Sequence, residues 1–160
     1  MTPPELMLFK GDWPPYEDMI YKAFLETIVN GSPSFRGWPV KAQFRPETNG
    51  KGFSFWHVIS ESSSGDKSED ERTPDFRRCE RIRWIEWAIK NAGEPGFLCW
   101  ENQRGRETRF VIWVEAHDYA VILAVRNGYY LLKSAYVVDR THRRQTFRAE
   151  YDAYCRRQKG

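Results

Sequence analysis

The first regular pattern in the chain is helical. Within residues 16–29 apolar residues recur at every fourth position, as Ile20, Phe24 and Ile28. This spacing places their side chains on one face of a helix. Two prolines precede the pattern and Asn30-Gly31 follows it, which is typical of a helix start and a helix end. The pattern predicts a core-facing helix over residues 16–29.

A second helical pattern runs from about Asp75 to Asn91. Its buried stripe consists of isoleucines at helical spacing: Ile82, Ile85 and Ile89. Arg78 lies one turn before this stripe on the same face, and Arg81 lies beside it. We therefore expect a middle helix that carries arginines at the border of the core.

Residues 53–59 fit the two-residue period of a β-strand. Phe53, Phe55, His57 and Ile59 fall on one face if the segment is extended. The segment is rich in aromatic and β-branched residues and predicts a strand with His57 on an apolar face. Residues 61–72 are rich in Ser, Asp and Glu and have no periodicity, which predicts a flexible loop.

Short strand signals fill the next part of the chain. They cover residues 97–101, 108–115, 119–126 and 129–138, and Asn127-Gly128 is a strong hairpin turn signal. The connections are too short for parallel crossovers, so we expect an antiparallel meander. The predicted fold class is α+β: a mainly antiparallel sheet of four or more strands packed with the N-terminal and middle helices, plus a basic C-terminal helix near residues 141–157.

Composition limits the class of protein. A chain of 160 residues fits one domain over residues 1–160. Hydrophobic residues make up 41% and aromatics 16%, which is too much for a disordered protein. The apolar runs are shorter than the roughly 18 residues of a membrane helix, and the N-terminus does not resemble a signal peptide. These features predict a cytoplasmic protein with no membrane partner.

The chain contains three cysteines and no Cys-x-x-Cys pair, which indicates no disulfide framework, metal site or cofactor.

Positive charge is concentrated at the C-terminus. The formal net charge is only +3, but residues 139–160 contain seven basic residues against three acidic ones. Lys and Arg are sufficient for contacts with phosphates, so this segment predicts an RNA partner. The candidate substrate-binding residues on it are His142, Arg143, Arg144 and Arg148.

The candidate catalytic residues come from three segments. His57 can transfer a proton near neutral pH, and Arg78 or Arg81 can neutralise phosphoryl oxygens. Ser134 and Tyr136 are two residues apart, so both hydroxyls face the same side of the last strand. Lys133 should face the opposite side of a regular strand and ranks lower, as a substrate-binding candidate.

Three short runs carry a resemblance to a known group. They are Phe55–Ile59 (FWHVI), Arg77–Arg81 (RRCER) and Leu131–Tyr136 (LLKSAY). In this order, after an N-terminal helix, they resemble the barnase, EndoU, colicin and RelE-like nucleases, especially the phage-encoded branch. The resemblance spans roughly residues 53–138 and is one of arrangement, so the function has to be argued from the site itself.

The resemblance implies a metal-independent endoribonuclease, either toxin-like or a phage accessory protein, in the cytoplasm of the host cell. In such enzymes the ribose 2′-hydroxyl attacks the adjacent phosphorus and leaves a 2′,3′-cyclic phosphate. His57 would act as base or acid, and the second proton carrier stays open between water, Tyr136 and His142. The sequence offers no obvious catalytic glutamate on a predicted central strand, of the kind that barnase-like enzymes use, because Glu115 ends its strand and Glu101 precedes a loop. A neutralising protein partner would fit a toxin-like role.

Other interpretations of the same residues remain. His57 fits a hydrogen-bonded, half-buried residue as well as a catalyst, and Tyr136 fits ordinary strand packing. The arginines of the middle helix fit a solvated face paired with glutamates. The alternative function is a phage protein that keeps a nuclease-like fold and binds RNA or a protein without cleaving it.

Overall fold

A curled sheet of six strands separates two layers of helices in the computed structural model, which describes residues 2–62 and 72–159. Its strands are β1 Ser34–Phe35, β2 Trp38–Lys41, β5 Phe97–Arg104, β6 Glu107–Val114, β7 Tyr119–Val125 and β8 Tyr130–Val137. The strand order is β1-β2-β8-β7-β6-β5, and all neighbours are antiparallel except β2 and β8, which are parallel. The predicted mainly antiparallel sheet is confirmed.

The helices of the described ranges are α1 Trp13–Phe24, α2 Phe53–Ile59, α3 Phe76–Glu80, α4 Trp84–Lys90 and α5 Thr141–Lys159. A π-helical stretch, Leu25–Val29, extends α1, so the helix predicted over residues 16–29 is confirmed. The C-terminal helix is confirmed as well. The predicted middle helix is interrupted between α3 and α4, because the backbone of Arg81 leaves the helical region at φ −102° and ψ 22°.

The two faces of the sheet are covered unequally. One face packs against α1, α2 and α4 through a large apolar core that includes Ile20, Phe55 and Ile85. On the other face α5 packs Phe147 between Trp100 and Trp113, with ring centroids 5.2 and 5.7 Å apart. The apolar cluster on this face also includes Val111, Ile122 and Val138, and polar side chains from β5, β6 and β8 lie beside it.

His57 lies on a helix, so the strand predicted over residues 53–59 is wrong. The buried residues of α2 are Ser54, Phe55, Val58 and Ile59, which is the i, i+1, i+4, i+5 spacing of a helix. The first helical N–H groups are paired with the preceding segment: Phe53 N donates to Phe44 O and Ser54 N to Gln43 O, at 3.0 and 2.9 Å. Packing and these bonds override the β preference of aromatic and β-branched residues.

The segment predicted as a loop begins and ends in a small sheet. Strands β3 Ser60–Ser62 and β4 Arg72–Pro74 pair antiparallel. The rest of the predicted loop, residues 63–71, lies outside the described residues. None of the helices in the described part of the chain is long and apolar enough to cross a membrane.

Candidate functional site

A cleft of about 690 Å3 opens on the part of the sheet that α5 leaves uncovered. Its walls are the end of α2 with the start of α3 on one side, and the first turns of α5 on the other. The floor consists of side chains from β5, β6, β7 and β8. Six residues that the sequence singled out line it: His57, Arg78, Lys133, Ser134, Tyr136 and Arg143.

His57 occupies the last turn of α2, at the rim of this cleft. Its side chain is half-buried, and its ring lies 4.2 Å from the ring of Phe53, one helical turn earlier. Phe55 and Val58, on the other side of the helix, are anchored in the core. The helix thus fixes the backbone of His57 at the rim of the cleft.

Arg78 holds the end of α2 in place. Its Nη1 donates hydrogen bonds to the backbone oxygens of Ser60 and His57, at 2.9 and 3.4 Å. Its Nη2 lies 3.8 Å from Glu61, its Nε lies 3.9 Å from Asp75, and only 12% of its side chain is exposed. The two hydrogen bonds from Nη1 to backbone oxygens give Arg78 a role in positioning the His57 segment, although its buried Nε forms no hydrogen bond with the described residues.

A bulge in β8 brings Lys133 and Ser134 to the same side. Ile122 of β7 pairs with Ser134, but the next residue, Leu123, pairs with Leu132, so Lys133 is left without a partner. The extra residue turns both side chains toward the cleft. The expectation that Lys133 faces away from Ser134 is therefore wrong, since it assumed a regular strand.

Tyr136 lies on the floor of the cleft, two residues beyond Ser134. Burial raises the pKa of its phenol, although Arg143, Arg104 and Arg78 act in the opposite direction. The guanidinium of Arg78 lies 5.6 Å from the centre of the Tyr136 ring. The phenol therefore keeps its proton at neutral pH and can donate a hydrogen bond to an anion in the cleft.

The basic residues of α5 divide between two directions. Arg143 lines the cleft, together with Arg140 just before the helix. Arg144 pairs with Asp118 at 3.2 Å and Arg148 with Glu115 at 3.3 Å, at the turn between β6 and β7. The exposed His142 does not line the cleft. Of the four residues predicted to bind substrate on this helix, the structure brings one to the cleft.

Arg81 also lies away from the cleft. Its guanidinium stacks over the ring of Trp84 at 5.0 Å, and its Nη1 donates to the backbone oxygen of Arg77 at 3.1 Å. The break between α3 and α4 accounts for this, because Arg81 no longer follows Arg78 around a continuous helix. Of the two predicted arginines of the middle helix, only Arg78 reaches the site.

Four basic residues and one amide that line the cleft were not predicted as site residues: Arg77, Arg104, Arg109, Arg140 and Asn102. For three of them the sequence contains a pattern that could have identified them. Asn102 and Arg104 are two residues apart on β5, and the register pairs Asn102 with Arg109 of β6. Residues paired in this way share one face of a sheet, so the alternation in this hairpin marks a polar face.

Cations outnumber carboxylates around the cleft. Seven Lys and Arg residues line it against four acidic residues: Glu61, Asp75, Asp139 and Glu150. Arg77 binds Asp139 at 2.8 Å, which lowers the pKa of that carboxyl group. Within residues 2–62 and 72–159, Arg104, Arg140 and Arg143 form no ion pair with a carboxylate, so their charge is available to an anion. No group of three His, Cys, Asp or Glu side chains in these ranges could hold a metal ion.

Arg143 lines the cleft and Arg144 does not, so we expect substitutions of these two neighbouring arginines to affect RNA binding differently. If the cleft binds RNA, as the sequence predicts, Arg143→Gln should weaken that binding and reduce the slope of log affinity against log salt by about 1, because a phosphate contact would be lost. Arg144→Gln removes the same charge from the next residue and should leave the slope unchanged, since Arg144 contacts Asp118 instead. Fluorescence anisotropy across a salt series measures both. Equal slopes for the two variants would contradict this assignment of the cleft.

No family model, curated protein or solved structure matches this chain. The resemblance to the nuclease group therefore stays a prediction from the sequence.

Proposed function

We propose that this protein is an endoribonuclease that cleaves RNA by attack of the ribose 2′-hydroxyl, without a metal ion. One observation carries the proposal: the same cleft is lined by a histidine, two hydroxyl groups and an excess of cations, namely His57, Ser134, Tyr136 and the basic residues around them. A proton carrier next to an anion-binding surface is what this reaction requires.

In the proposed reaction His57 takes the proton of the 2′-hydroxyl. The 2′-oxygen forms a bond to phosphorus, the bond to the 5′-oxygen breaks, and the 5′-oxygen leaves with a proton taken from water. The products are a 2′,3′-cyclic phosphate and a 5′-hydroxyl. Imidazole suits the step because its unperturbed pKa of about 6.5 allows both protonation states near neutral pH.

The negative charge of the transition state would be stabilised from the other walls of the cleft. Arg143 supplies a guanidinium that no carboxylate of the described ranges pairs with, and Lys133 reaches the cleft because of the bulge. The hydroxyls of Ser134 and Tyr136 add neutral hydrogen-bond donors on the floor. Such donors are most effective when folding fixes their positions before the substrate binds.

RNA binding without cleavage is the second candidate. The observation that favours it is the set of unpaired cleft cations, since phosphate contacts alone give sequence-independent affinity whatever His57 does. In that case the cleft would still bind RNA in a salt-dependent manner, and replacement of His57 would change neither binding nor the RNA.

Incubation of the purified protein with labelled total RNA in excess EDTA separates the two candidates. The nuclease should produce fragments at the same rate with and without the chelator. RNA that is bound but stays intact across pH 5 to 9 would exclude the nuclease and favour the binding protein.

A further inference from the structure

A second cavity adjoins the cleft at the end of the β5–β6 hairpin. Its volume is about 460 Å3, and six residues line it: Arg104, Arg106, Glu107, Thr108, Val125 and Arg126. Three of them are arginines and one is acidic. The cavity is thus a shallow, positively charged surface that adjoins the site described above.

The two cavities share a wall. Arg104 lines both of them, and it is the last residue of β5. Gly105 follows with φ at +61°, the left-handed conformation that lets the chain reverse within two residues. Arg106 is the second residue of this turn. The tight turn therefore keeps Arg104 and Arg106 close to each other in space, and Arg104 lies at the border of the two cavities.

Glu107 connects the cations of the two cavities. Its carboxylate accepts hydrogen bonds from Arg109 and, at 3.0 Å, from Arg126, and Lys133 Nζ lies 3.9 Å away. Arg109 and Lys133 line the cleft, whereas Arg126 lines the second cavity. Burial acts to raise the pKa of Glu107, but the hydrogen bonds from Arg109 and Arg126 prevail and lower it.

One carboxylate among three cations leaves positive charge uncompensated. Arg126 is held by two protein groups, since its Nη2 donates to Glu107 at 3.0 Å and its Nη1 to the backbone oxygen of Val125 at 3.1 Å. The uncompensated charge is that of Arg104 and Arg106, which form no ion pair with a carboxylate of the described residues. Guanidinium groups that are oriented and only partly compensated are well suited to bind phosphate oxygens.

We infer that the second cavity is a phosphate subsite, which binds a phosphate of the same RNA strand adjacent to the one in the cleft. The inference rests on the proposed function in so far as RNA is the ligand of the cleft. A strand that runs from the cleft past Arg104 reaches Arg106 and Arg126 next, so recognition extends over at least two phosphates.

The test uses an oligonucleotide that cannot be cleaved. Short RNAs with 2′-O-methyl riboses throughout carry one neutral methylphosphonate linkage at successive positions, and their affinity is measured at low salt. With the wild-type protein, the neutral linkage should weaken binding at two separate positions, one for each cavity. Sensitivity at a single position would overturn the inference.

The double variant Arg106→Gln/Arg126→Gln identifies the second position. It should lose sensitivity there, keep it at the first position, and show a salt slope reduced by about 1. Arg156→Gln/Arg157→Gln is the matched control, because it removes two exposed charges at the far end of α5, away from both cavities. If the two double variants show the same slope and the same sensitivity pattern, with both folded by circular dichroism, the second subsite does not exist.

Failure of this inference and failure of the nuclease proposal give different results. The ligand is resistant to 2′-hydroxyl attack, so the binding pattern does not depend on catalysis. Two sensitive positions together with intact natural RNA would support the subsite and exclude the nuclease. One sensitive position together with cleaved RNA would do the reverse.

Discussion

Replacement of His57 by alanine is expected to lower the rate of RNA cleavage by about 10²- to 10⁴-fold, the usual contribution of a general acid or base. The side chain lies at the rim of the cleft on a helix whose other face is anchored in the core. Its loss should therefore leave the fold and most of the RNA affinity intact. Single-turnover cleavage, the melting temperature and the affinity for RNA are measured on the same variant.

His117→Ala is the matched control for this substitution. His117 is exposed near Trp84 and Trp87, and it does not line the cleft. It should cleave RNA at the wild-type rate. A folded His57→Ala protein that cleaves as fast as this control would show that His57 is not the proton carrier.

Replacement of Arg78 by alanine is expected to have the second largest effect. It removes the hydrogen bonds that Arg78 donates to the backbone oxygens of His57 and Ser60, and hydrogen bonds from a charged group contribute about 1.5–3 kcal/mol to stability. Displacement of His57 should also reduce the cleavage rate by about 10²-fold, since a shift of about 1 Å is enough for such a loss. Urea unfolding and single-turnover kinetics measure the two effects.

The cleavage rate and the affinity for RNA together show whether Arg78 positions His57 or contacts a phosphate. Because Arg78 Nη1 donates to backbone oxygens of the His57 segment, its loss should lower the rate much more than the affinity for RNA. Arg143→Gln provides the comparison, as that variant should lose affinity and salt dependence first. If Arg78→Ala weakens RNA binding as much as Arg143→Gln and unfolds at the wild-type urea concentration, Arg78 binds phosphate instead.

The elements whose structure follows from local periodicity and turn residues were predicted correctly from the sequence. The alternation in β5 to β8, with Asn127-Gly128 between the last two strands, indicated the antiparallel meander, and Arg126 N does donate to Tyr129 O across that turn. The apolar residues at every fourth position, beginning with Ile20, indicated α1. In these segments the periodicity and the turn residues agree with the final packing.

The rest depended on contacts between distant segments. The aromatic and β-branched residues of Phe53–Ile59 favour a strand on their own, yet α2 forms because the 43–44 segment and the core hold it. The bulge at Lys133 arises from its register with β7 and leaves no local signal. The directions of Arg143 and Arg144 are set by where α5 packs on the sheet.

The chemical nature of the RNA ends tests the central claim most directly. A defined RNA is incubated with the wild-type protein in EDTA, with His57→Ala as the control for contaminating nucleases, and the termini are identified by mass spectrometry. The proposed reaction predicts 2′,3′-cyclic phosphate and 5′-hydroxyl ends that appear only with the wild-type protein. Intact RNA, or 3′-hydroxyl and 5′-phosphate ends, or the same products from His57→Ala, would contradict it.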